Sequence, residues 1–70
     1  METLKINGAE KQFPAGEMPS TLSELLQTLS VDTATVVAEV DGKIVQREEF
    51  ASTGLEDGQS VELIRFMGGG

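Results

Sequence analysis

The chain has 70 residues, twelve acidic and five basic, with a formal net charge of −7 and no histidine, cysteine, tryptophan or tyrosine. This length allows one domain with a small core. The negative charge repels phosphate backbones and argues against a nucleic-acid partner. The absence of histidine, cysteine and tyrosine argues against an autonomous enzyme. No apolar run spans a bilayer, no secretory leader opens the chain, and no carboxylate spacing resembles a calcium loop, so we expect a cytoplasmic protein with no membrane partner and no metal site.

The first predicted element is a β-hairpin. Residues 3–7 alternate between polar and apolar, with Leu4 and Ile6 on one face, and Asn7-Gly8 is the dipeptide best suited to a two-residue hairpin turn. Both turn positions need a positive φ, which asparagine and glycine tolerate better than other residues. The return strand is expected over residues 10–13.

A single amphipathic helix is predicted next, after a loop that contains proline and glycine. Leucines recur at helical spacing over residues 22–29 and therefore share one stripe of the helix. Thr21 is expected to cap this helix with its hydroxyl, and Glu24 is expected to bond back to the Thr21 amide, as in a capping box. A leucine stripe can also bind a partner, but in so small a domain we interpret it as the second layer of the core.

The second half of the chain predicts another hairpin, one helical turn and a last strand. A strand over residues 35–40 and a short strand over 43–45 flank the turn dipeptide Asp41-Gly42. Residues 47–50 show no strand alternation, so a single helical turn is expected there. The last strand is predicted over residues 60–66.

The predicted order of elements is strand, strand, helix, strand, strand, strand. Since strands lie on both sides of one helix in the sequence, a single mixed sheet over that helix buries the apolar faces most economically. We therefore predict a two-layer α+β domain, in which the last strand pairs next to the first in the interior of the sheet.

Alternation along the last strand predicts a docking surface. With Val61 in the core, Ile64 and Phe66 point to the opposite face, where a helix on one side of the sheet leaves them partly exposed. Exposed apolar surface beside the end of the chain is a docking patch by default, although Phe66 can also fold over neighbouring sheet residues. We add Arg65 and Met67 to this docking segment, with Arg65 expected to orient the residues that follow it by pairing with an acid on the partner.

Three glycines follow the last strand, and they are the strongest indication of function in the sequence. Because glycine has no side chain, Gly68 and Gly69 predict a thin, flexible thread that can enter a narrow active site. The residue that reacts would then be Gly70, through its carboxylate, as a substrate and not as a catalyst.

These features together resemble the ThiS family, the bacterial sulfur carriers of thiamine biosynthesis, over essentially the entire chain. The resemblance is carried by the Asn7-Gly8 hairpin, the capped leucine helix, residues 40–50 (Val-Asp-Gly-Lys-Ile-Val-Gln-Arg-Glu-Glu-Phe), the Asp57-Gly58 turn and residues 66–70 (Phe-Met-Gly-Gly-Gly). A terminal Gly-Gly alone is shared by all ubiquitin-like carriers. The segment over residues 44–50 and the triple glycine end point more narrowly to ThiS.

The resemblance implies a ubiquitin-like β-grasp fold for residues 1–67, with four to five strands on one main helix, and a flexible tail over residues 68–70. It also implies that an E1-like adenylyltransferase, ThiF, activates the Gly70 carboxylate with ATP. The carboxylate then becomes a thiocarboxylate, whose sulfur goes to the thiazole synthase, ThiG. The carrier itself is expected to bind no cofactor and to be a monomer when free.

Three other functions remain open from the sequence. The small subunit of molybdopterin synthase shares the fold and the thiocarboxylate but serves a different pathway. A protein modifier would be joined to lysines of its targets, as ubiquitin is. A pure binding module would carry an inert tail.

Overall fold

The fold is a five-stranded mixed sheet with one helix against it, seen in a computed structural model that describes residues 1–66. The strands are ordered β2-β1-β5-β3-β4; β1 and β5 are parallel, and the other neighbouring pairs are antiparallel. The predicted mixed sheet, with the last strand next to the first, is confirmed. The elements are β1 Glu2–Ile6, β2 Ala9–Phe13, α1 Leu22–Thr28, β3 Val36–Val40, β4 Lys43–Val45 and β5 Ser60–Arg65.

Both predicted hairpin turns are present. Asn7 and Gly8 have φ angles of 51° and 83°, and Asp41 and Gly42 have φ angles of 50° and 83°. Two consecutive residues with positive φ are the mark of a type I′ turn, whose twist matches that of the strands it joins. The sequence predicted these turns because few dipeptides adopt this geometry at low cost.

The helix begins as predicted, but one half of its cap differs. The Thr21 hydroxyl accepts a hydrogen bond from the Glu24 amide at 3.2 Å. The Glu24 carboxylate, however, accepts from the amide and the hydroxyl of Ser20, at 3.1 and 3.0 Å. The predicted bond to the Thr21 amide is therefore wrong, because Ser20 offers this carboxylate two donors where Thr21 would offer one.

The core lies between the helix and one face of the sheet. The leucine stripe of α1 is buried, which confirms its interpretation as core. The predicted helical turn, Arg47–Glu49, is a 3₁₀ helix that leads into the buried Phe50. A second 3₁₀ helix, Thr33–Thr35, takes the first residue of the strand that we predicted from 35. The buried apolar residues are Leu4, Phe13, Leu22, Leu25, Leu26, Val36, Ala38, Val40, Phe50, Leu55 and Val61.

The two hairpin turns also hold β5 in place. The Asn7 side-chain oxygen accepts a hydrogen bond from the Leu63 amide at 2.7 Å, and the Asp41 carboxylate accepts from the Ser60 amide at 3.0 Å. Another Asp41 oxygen accepts from the Gln59 side chain at 3.2 Å. The strand that leads to the C-terminal glycines is therefore fixed on both sides by turn residues whose second role the sequence did not reveal.

Candidate docking face beside the last strand

The last strand has one buried and one exposed face. Val61 is fully buried and Leu63 is half-buried on the side of the helix, whereas Glu62 and Ile64 are exposed. Phe66, which follows the strand, is also exposed, and its amide donates to the Thr35 carbonyl at 3.0 Å. The predicted exposure of Ile64 and Phe66 is confirmed; their role in docking stays a prediction.

Two further apolar side chains join them on the face of the sheet away from the helix. Val37 of β3 is directly opposite Ile64 of β5, and Ile44 extends from the neighbouring strand β4. We call these four residues the outer apolar patch, because the exposed fractions are 37% for Val37, 64% for Ile44, 52% for Ile64 and 45% for Phe66. Four large apolar side chains this exposed on one face are typical of an interaction surface.

A groove adjoins the outer apolar patch at the end of β4. It has a volume of about 340 Å³ and is lined by Val37, Ile44 and Phe66 of the patch, together with Phe50 and Arg47. Strand β4 pairs with β3 only over Ala38–Val40, so the start of β3 has no strand on this side. The groove therefore extends the apolar surface around the edge of the sheet.

Arg65 lies on the other side of the sheet from the outer apolar patch. It is opposite Val36, whose side chain belongs to the core, and it lines a crevice of about 230 Å³ between the sheet and the residues that follow the helix. The structure thus separates Arg65 from Ile64 and Phe66, with which we grouped it. Met67 and the glycines at 68–70 lie outside the described residues, so their predicted roles stay predictions.

Val37 and Ile44 were missed by the sequence analysis, although a signal was present. Alternation along the strand predicted over residues 35–40 places Val37 on the face opposite that of Val36 and Ala38. One outward apolar residue is common, but Val37 opposite the exposed Ile64 enlarges the apolar surface, and a contiguous patch of this kind indicates a surface that binds a partner. The position of Ile44 beside it follows from the register of the second hairpin.

Within residues 1–66, no group of acidic side chains is placed to hold a metal ion. Over the same residues, no helix combines the length and the apolar character that crossing a membrane requires.

A five-stranded mixed sheet on a single helix, with an interior last strand that leads into a glycine-rich end, defines a small protein of the ubiquitin-like β-grasp class. The model of the ThiS family matches residues 4–70, which includes all three terminal glycines. The chain therefore belongs to the ThiS family, as the sequence features suggested.

Solved structures agree with this assignment. The crystal structure of a thiamine biosynthesis protein (ThiS) from Geobacter metallireducens is 36% identical, with a TM-score of 0.82 over 97% of this chain and 99% of that one. A solution structure of a thiamine biosynthesis protein from the same organism is 38% identical, with a TM-score of 0.76 over 97% of this chain and 87% of that one. At this identity the likeness extends beyond the fold and supports a place in thiamine biosynthesis.

One relative is a longer protein that is named as an enzyme and not as a ThiS protein. A thiazole synthase from Paramagnetospirillum magneticum is 37% identical over 67 residues, which is 96% of this chain. The chain spans only 20% of that relative's length. The similarity therefore concerns one stretch of the thiazole synthase and not the whole of it.

Proposed function

We propose that this protein carries sulfur for the thiazole ring of thiamine, as a thiocarboxylate on Gly70. The observation that carries the proposal is the match to the ThiS family over residues 4–70, since it continues through the glycines that the chemistry needs. The outer apolar patch adds support, because it lies beside the last described residues before that end of the chain. The protein itself acts as a co-substrate of its partner enzymes.

The proposed chemistry begins with activation of a poor electrophile. A carboxylate resists attack by sulfur because its charge is delocalised and its leaving group would be oxide. One Gly70 oxygen attacks the α-phosphorus of ATP, pyrophosphate leaves, and an acyl adenylate forms. A sulfur nucleophile then attacks the carbonyl carbon and AMP leaves, so that one oxygen of the carboxylate has been exchanged for sulfur.

The groups that catalyse these steps belong to the partner, which we infer to be an adenylyltransferase of the ThiF type. It must align the nucleotide with the carboxylate and spread the developing negative charge with Mg²⁺ and cationic side chains. Glycines at 68 and 69 let the thread pass channel walls that a Cβ would contact. ATP is consumed by this enzyme and is not bound by the carrier, and we expect the reaction to take place in the cytoplasm.

The acceptor of the sulfur is inferred to be a thiazole synthase of the ThiG type. The support is the Paramagnetospirillum magneticum relative, in which a stretch similar to this chain belongs to a protein named thiazole synthase. Two modules in one chain meet at a high effective concentration, which favours transfer between them.

The test of the proposed function is intact-mass spectrometry. The full chain is incubated with ATP, a purified ThiF-type adenylyltransferase and hydrosulfide, beside a known ThiS carrier. We expect an oxygen-for-sulfur exchange that fragmentation assigns to Gly70. An unchanged mass under conditions that convert the known carrier would reject the proposal.

The outer apolar patch is proposed to dock onto the adenylyltransferase, and Ile64→Ala tests this role. If Ile64 is one of the few side chains that dominate the interface, its truncation costs at least about 1.4 kcal/mol of binding, so the KM for the carrier is expected to rise roughly tenfold. Because Ile64 contributes little to the core, the melting temperature should stay close to that of the wild type.

The matched control is Gln12→Ala, which truncates an exposed side chain on β2 at the opposite edge of the sheet. Its KM is expected to match the wild type within a factor of two. Equal KM values for the Ile64 and Gln12 variants would argue that docking uses another surface, such as the crevice beside Arg65.

A further inference from the structure

Two glutamates lie directly opposite each other beside the outer apolar patch. Glu39 of β3 is directly opposite Glu62 of β5, in the same antiparallel ladder that places Val37 opposite Ile64. Ile44 of β4 is opposite Glu39 on its other side. Glu39 is half-buried and Glu62 is exposed.

This arrangement is unfavourable for the protein alone. Like charges directly opposite each other on one face of an antiparallel pair repel, and their side chains are only about 5 Å apart at Cβ. A sheet whose residues served folding alone would gain stability from a neutral or cationic residue at either position.

The cations of the strands are poorly placed to relieve the repulsion. Lys5 of β1 shares this face, but it is opposite Ser60, one row away from Glu62, and on its other side it is opposite Glu10. Alternation along the strands assigns the remaining strand cations to the side of the helix. These are Lys11 opposite Leu4, Lys43 opposite Val40 and Arg65 opposite Val36.

We propose that Glu39 and Glu62 form a recognition site for one basic side chain of the adenylyltransferase, an arginine seated between the two carboxylates while apolar residues cover the patch. The inference rests on the proposed function and specifies the chemistry of its first partner. An arginine fits best because its planar guanidinium can donate to both carboxylates at once, and charge-assisted bonds of this kind strengthen as water leaves the interface. Binding would then remove the repulsion that the free carrier sustains.

The proposal predicts opposite effects on stability and on recognition. Glu39→Gln and Glu62→Gln remove the repulsion, so each is expected to raise the melting temperature by about 1 to 4 °C. Each also removes a partner of the enzyme's arginine, so the KM for the carrier in ATP–pyrophosphate exchange is expected to rise about 5- to 10-fold. The salt dependence of kcat/KM should become weaker in both variants.

The matched control is Glu17→Gln, which makes the same change in net charge at an exposed loop position between β2 and α1. Its KM and melting temperature are expected to stay near the wild-type values.

A second variant, Glu62→Lys, places a cation opposite Glu39. It is expected to be more stable than the wild type and to raise the KM more than either glutamine variant, a combination that partial unfolding cannot produce.

The outcomes separate this inference from the proposed function. If the wild type is adenylated and the glutamine variants keep the KM of the Glu17 control, the recognition site is rejected and the sulfur-carrier function stands. Glutamine variants that are less stable than the wild type, with KM values unchanged, also reject it and assign the acids to the fold. If the wild type is never adenylated, the proposed function fails and the inference fails with it.

Discussion

Deletion of Gly70 is expected to lower the rate of adenylation more than about 100-fold without changing the stability of the fold. The variant still ends in a glycine carboxylate, so the reacting group keeps its chemistry and only its position changes. Losing one residue shortens an extended thread by about 3.3 to 3.6 Å. A displacement of about 1 Å at a reacting centre can already cost about 100-fold, and the enzyme would have to approach the sheet to recover the missing length.

The measurement is the rate of ATP–pyrophosphate exchange at saturating carrier, with intact mass as a second readout. Gly70→Ala is the matched control, because it keeps the length and adds a single methyl group. Both variants should have the melting temperature of the wild type, since β5 ends at Arg65 and position 70 comes later in the sequence. A deletion variant that retains more than a third of the wild-type rate would contradict the proposed role of the terminal carboxylate.

Much of the fold follows from local chemistry that is visible in the sequence. The Asn7-Gly8 and Asp41-Gly42 turns have few alternatives to type I′ geometry, and the leucine stripe of α1 has the period of a helix. The interior position of β5 followed from the economy of burial, because a segment as apolar as this one is best covered on at least one face. Such signals depend on neighbours in the chain or on total composition.

The site was harder to predict because it depends on register between distant segments. Glu39 and Glu62 are 23 positions apart in sequence (62 − 39), and only the β3–β5 pairing brings them opposite each other. Arg65 is a different case. The alternation that sent Ile64 outward also placed Arg65 inward, so the sequence already contained the separation that the structure shows.

Asn7→Ala is expected to destabilise the fold by roughly 2 to 3 kcal/mol, from two separable effects. Asn7 has a φ of 51°, a left-handed conformation that costs alanine roughly 1 to 2 kcal/mol. Its side-chain oxygen also accepts a hydrogen bond from the Leu63 amide at 2.7 Å. Losing this bond adds about 1 kcal/mol, which is near the low end of the cost of leaving a donor without a partner, because Asn7 is exposed and water can take its place. The total free energy of unfolding of a domain of this length is only about 4 to 10 kcal/mol.

Urea unfolding of three variants separates the two effects. Asn7→Asp keeps an acceptor oxygen and tolerates positive φ, so it is expected to lose less than about 0.5 kcal/mol. Asn7→Gly fits the turn but has no acceptor, so it should lose about 1 kcal/mol, and Asn7→Ala should lose the sum. Equal losses of stability in the glycine and alanine variants would show that the backbone conformation of Asn7 contributes nothing. Equal losses in the aspartate and glycine variants would show that the hydrogen bond to Leu63 does not stabilise the contact between the first turn and the strand that leads to Gly70.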